Sequence, residues 1–355
     1  MKIFEEMEKR GHEELIFSYN ESTNLKAIIA LHDTTLGKSV GGIRMSCYEN
    51  DDAAVAEALR LSQIMTYQSA TADVDCGGGA IVLQGNPITE KSEAFFRALG
   101  RFLESLKGRL VIFPDLGTDA SDFRYIQRES IHTIFSKTIA DRSKPSAQIT
   151  AYGVYWGIKA CAKMIYGSPS LNGLTFAVQG LGNVGKFLVQ YLKQEDTHLV
   201  ISDLIYDNIK EIEDKYPDTT IVRPNEILNQ EVDFFVPCAK GNLIDADILK
   251  KMHCRVIAGA AYSVFKTDNL IEQAHEHGIL YAPDFVISAG DLFHLNDDLK
   301  LTEIEQALEG AQIIYDVMLQ ILKRAQELKV SPYSIALEQA HERYQKIDRI
   351  KDILC

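Results

Sequence analysis

Three observations predict an α/β fold of two domains with a cleft between them, the second built on a doubly wound parallel sheet. The chain has 355 residues, beyond what one hydrophobic core usually serves. From Leu174 onward short apolar runs alternate with helical patterns, the rhythm of βαβ units. The first of those runs passes directly into Gly180-Leu181-Gly182-Asn183-Val184-Gly185. Hydrophobic residues make up 46% of the chain, enough to fill two cores.

The first domain is expected over residues 1–148. Leu25 to His32 reads as a strand, and Asp51 to Ser69 as a long helix capped by Asp51-Asp52. Ala80 to Leu83 is a strand, Glu90 to Leu106 a helix, and Leu110 to Phe113 a strand. Gly77-Gly78-Gly79 marks a place where backbone must come close to something. Thr150 to Ile165 is a helix leading into the second domain, expected over 149–330. There the strands are Leu174–Gln179, Leu199–Ile201, Thr220–Val222, Val232–Val236, Arg255–Ala258 and Ile279–Tyr281. Thr302 to Leu328 reads as helix. A C-terminal helix, residues 331–355, follows the break at Pro332.

The glycine motif carries the first functional reading. A buried strand, Gly180, Gly182 and Gly185, then an amphipathic helix over Lys186 to Lys193, suit a tight turn and a close approach of backbone to a pyrophosphate. They also suit close packing of helix on strand, with free N–H groups at the helix start facing the phosphates. Asp203 lies 23 residues after Gly180, at the end of the next strand. A carboxylate there accepts hydrogen bonds from ribose hydroxyls and repels a 2′-phosphate, so a Rossmann-type domain binding NAD rather than NADP is expected. The bland alternative is an ordinary glycine-rich turn between strand and helix.

Charge and composition exclude other classes. The net charge of −13 argues against nucleic acid or an anionic membrane as partner. The opening residues lack the apolar stretch of a secretory signal, and no run is long enough to span a membrane. The six cysteines (47, 76, 161, 238, 254, 355) show no metal-ligand spacing and read as reduced thiols in a cytoplasmic protein. No metal site is expected.

Further motifs match a known family. Leu36-Gly37, Gly41-Gly42-Ile43-Arg44-Met45, Met65-Thr66-Tyr67, the glycine run at 77–79 and Pro114-Asp115-Leu116-Gly117-Thr118 occur in that order. So do Thr150 to Tyr155, Val178 to Gly185, Pro237-Cys238-Ala239 and Tyr281-Ala282-Pro283-Asp284. From about residue 3 to 345 the chain resembles the leucine dehydrogenases and, more widely, the glutamate/leucine/phenylalanine/valine dehydrogenase family. The resemblance implies interconversion of an L-amino acid and its 2-oxo acid, with hydride passing to NAD in the cleft. It implies a first domain that binds substrate and mediates oligomerisation, here as a homo-oligomer, a dimer favoured. Gly41, Gly42, Met65, Gln68, Ala80 and Leu292 are implied substrate positions. Thr150, Gly180, Gly182, Asn183, Val184, Gly185, Asp203, Cys238, Ala239, Lys240, Ala258, Gly259, Ala260 and Tyr262 are implied cofactor positions. Asp115 is the implied proton carrier.

The departures matter as much. The family pattern places one lysine after Met-Thr-Tyr, to pair with the substrate carboxylate, and another after the glycine run, to activate water. This chain has Gln68 and Ala80. A glutamine bonds a carboxylate without neutralising it, and a charge-assisted bond is roughly twice as strong as a neutral one. An alanine activates no water, and losing a general base costs about 10²- to 10⁴-fold. Tyr262-Ser263 stands where relatives carry Asn-Asn, and Asp291-Leu292-Phe293-His294 where they carry small apolar residues. Asp291 and His294, three apart, are candidates for proton transfer. Each candidate has a plain alternative. Asp115 also suits a turn, Gln68 a helix end, Lys240 the surface, and Asp291 with His294 a solvated helix start. Asp73 and Asp75 read as loop solvation, and Cys76 lacks an activating base.

What was kept and what was lost fit an NAD(H)-dependent oxidoreductase acting at a C–N bond. Its expected substrate is a small amine or imine without the α-carboxylate, with Asp115 or His294 as proton donor. The alternative is an NAD-binding relative without catalysis, with a regulatory or assembly role.

Overall fold

A computed structural model of the chain describes residues 2–134, 143–239, 241–295 and 302–354. The chain divides into two compact units. One takes the chain through Ser143 and resumes at Ala340, and the other holds Lys144–Leu295 and Thr302–Gln339.

The first unit contains α1 (Ile3–Arg10), β1 (Glu14–Asn20), β2 (Leu25–Leu31), β3 (Ser39–Ser46), α2 (Asp51–Thr71), β4 (Gly77–Gln84), α3 (Glu93–Ser105), β5 (Leu110–Pro114) and α4 (Ala120–Ile126). Its sheet has the order β1-β2-β4-β3-β5. β2 runs antiparallel to β1 and β4, while β3 runs parallel to β4 and β5. The cap of α2 is Asn50, whose Oδ1 accepts from the Ala53 N–H at 2.9 Å, and Asp51-Asp52 sit in the first turn where the helix dipole favours them. Ser92 caps α3 in the same way. On one side of the sheet Ile43, Met45, Ile81 and Leu83 pack with Phe95, Phe96, Leu99 and Leu103 of α3. On the other, Ala80 and Val82 pack with Ala54, Val55, Ala58 and Leu59 of α2.

The glycine run lies inside β4 rather than ahead of it. A Cβ on Gly78 would stand 2.1 Å from the Ser62 carbonyl oxygen and 2.3 Å from Thr66 Oγ1. The something that backbone approaches there is α2 itself.

The second unit contains α5 (Ser143–Tyr166), β6 (Thr175–Gln179), α6 (Asn183–Leu192), β7 (His198–Ser202), α7 (Tyr206–Lys215), β8 (Thr220–Ile221), β9 (Glu231–Pro237), α8 (Ala246–Leu249), β10 (His253–Ile257), α9 (Asn269–Glu276) and β11 (Leu280–Tyr281). Then come α10 (Asp284–Ile287), a 3₁₀ turn (Ala289–His294), α11 (Ile304–Ala311), α12 (Ile313–Leu328) and α13 (Pro332–Leu354). The sheet order is β11-β10-β9-β6-β7-β8 and every pairing is parallel. This is the doubly wound order, reversing at β6 and β9.

One expectation needs correction. The single helix over Thr302 to Leu328 is two helices, because the chain tightens at Gln312, whose N–H bonds Glu309 O at 3.3 Å. The expected C-terminal helix is α13, whose residues up to Gln339 belong to the second unit and those from Ala340 to the first. Pro332 opens α13 as its first residue, where its missing N–H costs nothing. Among the described residues no helix is long and apolar enough to cross a membrane.

Candidate active site

In the first unit, strand register brings three predicted residues together. Ile43 pairs with Ile81 and Gly42 with Phe113, which sets Gly42 beside Ala80 on the sheet face that α2 covers. Asp115 follows directly from β5. A Cβ on Gly42 would lie 2.7 Å from the Asp115 Cβ, so the bare glycine makes room for that side chain. Gly41 has a packing reason of its own, since a Cβ there would sit 1.8 Å from the Gly79 carbonyl oxygen.

The turn after β5 fixes the Asp115 backbone. Thr118 N–H donates to Asp115 O at 2.9 Å, and Gly117 takes φ +82, the pattern of a type II turn. Thr118 Oγ1 donates to Ile43 O at 2.8 Å, tying the turn to β3. Arg44 then fixes the side chain. Its Nε and Nη2 both reach Asp115 Oδ2, at 3.0 and 2.9 Å, and its Nη1 reaches Glu57 Oε1 at 2.6 Å. Arg60 closes the row on Glu57 Oε2 at 2.8 Å. Burial works against the Arg44 charge, but the Asp115 and Glu57 carboxylates outweigh it and push its pKa above the ordinary value. Burial likewise opposes the Glu57 charge, and Arg60 with Arg44 holds its pKa below the usual carboxylate value. Spacing did not reveal this network, because its members lie 13 and 71 residues from Arg44. The only sequence signal is the Glu57/Arg60 pair at helical spacing beside an arginine following two glycines.

Met65 and Gln68 lie in the last two turns of α2. Gln68 is in the final turn, where its carbonyl accepts the N–H of the C-cap Ala72, and is 1% exposed. Ala80, also 1% exposed, sits in the apolar cluster with Ile28, Ala30 and Ala58. Asp73 and Asp75 pair with Arg343 of α13 at 3.0 and 2.8 Å, and the same guanidinium donates to Ser69 O, Ala70 O and Val74 O. Those two aspartates anchor a helix. Cys76 meets Ser69 Oγ at 3.1 Å, and burial pushes its thiol up to about 11, the state of an inert core thiol.

In the second unit the fingerprint turn converges with the end of β9. Gly180 takes φ +94, and a Cβ there would lie 2.9 Å from the Ala239 Cβ and N. A Cβ on Gly185 would fall 2.0 Å from the Gly180 carbonyl oxygen, so only glycine lets α6 start this close to β6. Cys238 N–H donates to Gln179 O at 2.7 Å, and a Cβ on Gly259 would lie 2.2 Å from Pro237 O. Ala258 N–H donates to Phe235 O at 3.0 Å, and the Ala261 N–H just past Ala260 to Pro237 O at 2.9 Å. Lys240 lies outside the described residues.

Gly182 is different. It is the N-cap of α6, makes no side-chain cap, and has nothing within 4 Å of where a Cβ would be. The first intrahelical bond runs from Lys186 N–H to Gly182 O at 3.0 Å, so the N–H groups of Asn183, Val184 and Gly185 have no helical partner. Open space over a bare backbone and unspent N–H groups fit a dinucleotide's phosphates. Asp203 Oδ2 accepts from Leu181 N–H at 2.5 Å and Oδ1 from Ile205 N–H at 2.7 Å. The acid thus secures the turn, and each of its oxygens keeps a lone pair. Leu204 and Ile205 beside it are exposed.

A second group forms around the start of α5. A Cβ on Gly290 would lie 2.6 Å from Ile149 O and 3.1 Å from the Thr150 Cα, so the 3₁₀ turn rests on Thr150. Asp291 and His294 share one face of that turn, as three-apart residues do in 3₁₀ geometry. Leu292 and His294 are buried. Tyr262 is half-buried, its carbonyl against Gly241, and the neighbouring Ser263 N–H donates to Asp284 Oδ2 at 2.5 Å.

Known proteins resemble this chain over nearly its whole length. Residues 14–132 match the family model described as Glu/Leu/Phe/Val dehydrogenase, dimerisation domain, and residues 205–294 match Glutamate/Leucine/Phenylalanine/Valine dehydrogenase. The chain is 40% identical to a leucine dehydrogenase of Bacillus subtilis (strain 168) over 350 residues, covering 98% of this chain and 96% of the relative. It is 37% identical to an L-tryptophan dehydrogenase of Nostoc punctiforme over 352 residues, covering 99% and 98%. The crystal structure of L-tryptophan dehydrogenase from Nostoc punctiforme superposes with a TM-score of 0.78 at 36% identity, covering 98% of this chain and 99% of that one. A glutamate dehydrogenase from Thermus thermophilus shares the fold, with a TM-score of 0.75 at 17% identity over 99% and 95%. Members of this family are NAD(P)-dependent oxidoreductases, and the surroundings of Gly182 and Asp203 are consistent with NAD. A doubly wound sheet with this fingerprint, an Asp115 set by the turn after β5, and two matched models place the chain in the glutamate/leucine/phenylalanine/valine dehydrogenase family.

Proposed function

We propose that this protein uses NAD(H) to interconvert a small amine and its imine, in the manner of an imine reductase or amine dehydrogenase, rather than deaminating an α-amino acid. One observation carries the reading. Ala80 lies in an apolar cluster on the sheet face that holds Gly42 and Asp115, and Gln68 is a buried neutral residue of α2; these are the two positions where the family pattern has lysines. A substrate with an α-carboxylate leaves its charge unmatched there, and the hydrolysis of an imine to a ketone has no base. A substrate already at the imine or amine level needs neither.

When bound, NAD supplies the two-electron chemistry. The free N–H groups of Asn183 and Val184 hold phosphate, and Asp203 takes the ribose and disfavours a 2′-phosphate. Leu204 and Ile205 offer an adenine ring an apolar surface. Asp115 holds or moves the proton at the substrate nitrogen, and His294 is the second donor. The edge strand β1, with Phe17 and Tyr19 exposed, supports a homodimer. Unpaired thiols at Cys47, Cys76, Cys161, Cys238 and Cys254 support a cytoplasmic setting.

The test is NADH consumption by the purified protein with 2-methyl-1-pyrroline against 4-methyl-2-oxopentanoate plus ammonia. Faster reduction of the cyclic imine is expected. Faster turnover of the oxo acid would sink the reading, and tight NADH binding without turnover of either would favour a non-catalytic relative.

A further inference from the structure

The row Asp115–Arg44–Glu57–Arg60 has a feature that its role as an ion-pair chain does not explain. Arg44 Nε donates to Asp115 Oδ2 at 3.0 Å, and Nη2 stands 2.9 Å from that same oxygen. A free Arg–carboxylate pair prefers the fork, one N–H to each oxygen. Here the guanidinium is turned so that its third edge, Nη1, serves Glu57 at 2.6 Å, and Arg60 holds Glu57 from behind through Nε and Nη2 at 2.9 and 2.8 Å. Among the described residues no protein donor reaches Asp115 Oδ1.

The surroundings explain why this geometry is firm. Arg44, Glu57 and Arg60 side chains are 15%, 17% and 19% exposed, so their attractions are less screened than at the surface. Arg44 rises from β3 on the face that α2 covers, and α2 supplies both Glu57 and Arg60. Gly42, two residues before Arg44, removes the Cβ that would otherwise press on Asp115. Backbone, packing and charge therefore fix one oxygen of Asp115 and leave the other, on a side chain 30% exposed.

We propose that Arg44 is the positioning residue of this site: by taking Oδ2 it reserves Asp115 Oδ1 for the N–H of the ligand. Glu57 and Arg60 orient Arg44, and the row sets two cations against two carboxylates, which leaves it no spare cation to draw a substrate carboxylate. A lysine cannot replace Arg44. One ammonium is a point donor and does not reach Asp115 and Glu57 with fixed angles at once. The ligand's identity as an amine or imine rests on the proposed function, while the role of Arg44 does not.

The experiment compares Arg44→Ala and Arg44→Lys with the full wild-type chain. Crystal structures of the variants are expected to show the Asp115 carboxylate rotated from its wild-type position. With 2-methyl-1-pyrroline and NADH, kcat is expected to fall about 100-fold, the usual effect of misplacing a reacting group, with KM for NADH unchanged. Millimolar guanidinium chloride is expected to restore much of the Arg44→Ala rate, and the same concentration of methylammonium chloride is not. An unmoved Asp115 in both variants overturns the proposal. So does a lost rate that guanidinium does not restore in a variant whose melting temperature matches wild type. If wild type reduces no imine, the proposed function falls and the position of Asp115 in the two variant structures decides the role of Arg44. Should Arg44→Ala fail to fold, Arg44→Lys carries the same structural and kinetic readings.

Discussion

The fingerprint turn of the second unit and the α2-covered face of the first are both places where backbone presses on backbone, yet they leave different things free. At the turn, Gly180 and Gly185 admit neighbouring chain at distances no side chain allows, and what remains is a bare Gly182 with unspent N–H groups. On the sheet face, Gly42 and Gly78 admit close neighbours too, and what remains is one oxygen of one carboxylate. Backbone donors at a helix start do not depend on which side chains surround them. A carboxylate does. The glycine turn of the second unit is specified by chain path, and the Asp115 face of the first by charges recruited from separate elements.

The largest expected effect follows from the chain path. Gly185→Val places atoms on the Gly180 carbonyl, so α6 has to back away from β6. NADH binding is expected to weaken by about 100-fold or more, roughly 3 kcal/mol, in a calorimetric titration. Affinity near the wild-type value would mean that Gly182 and its neighbours do not hold the phosphates. On the other side of the comparison, Ala80→Lys puts an ammonium into the cluster of Ile28, Ala30, Ala58 and Val82. It is expected to cost about 3 kcal/mol of stability by denaturant titration. Gln68→Lys with Ala80→Lys is expected to remain inactive on L-leucine, and leucine-dependent NAD reduction by that pair would show that this face opens to admit charge.

This contrast also explains what could be read from the sequence. The strands β6, β7, β9 and β10, the turn at Gly180 and the placement of Asp203 follow from local pattern, because each is fixed by residues within about one βαβ unit. The Arg44 network escaped, since register between β3, β4 and β5 decides which residues share a face and no local spacing encodes register. The glycine run was legible as close approach but not as strand, because glycine carries no β-propensity and only the α2 partner reveals the reason. Asp73 and Asp75 were legible as polar loop residues, while their partner Arg343 lies 268 residues away from Asp75.

That partner gives the next expectation. Arg343→Ala removes donors to the Ser69, Ala70 and Val74 carbonyls at the end of α2, and is expected to cost about 2 kcal/mol in chemical denaturation. NADH affinity should not change, because the loss falls wholly in the first unit. A weakened NADH affinity would mean that the end of α2 bears on cofactor binding.

Acid should also act on the first unit. His12, His32 and His341 form a row of rings with Tyr67, and His32 Nδ1 meets Thr66 Oγ1 at 2.8 Å. Burial, with His32 adding, pulls His12 down to about 3, and burial lowers His32 and His341 as well. The unfolded chain binds protons at these histidines near 6.5, so their contribution is whole above that pH and is lost as pH falls toward the folded value. The melting temperature is expected to decline from pH 6.5 downward, and less steeply in His12→Asn. Identical slopes in the two proteins would remove His12 from the account.

The smallest expected effect lies at Asp203, where one side chain does two things. Its oxygens hold the Leu181 and Ile205 N–H groups, and the same carboxylate faces the ribose in the proposed complex. Asp203→Asn keeps one acceptor and loses the charge. NADH is expected to bind about tenfold more weakly, the difference between a charged and a neutral acceptor. NADPH is expected to bind better relative to NADH, because the repulsion of a 2′-phosphate is gone. Equal weakening of both cofactors would assign Asp203 to the turn alone, and cofactor choice would then belong to other residues of the second unit.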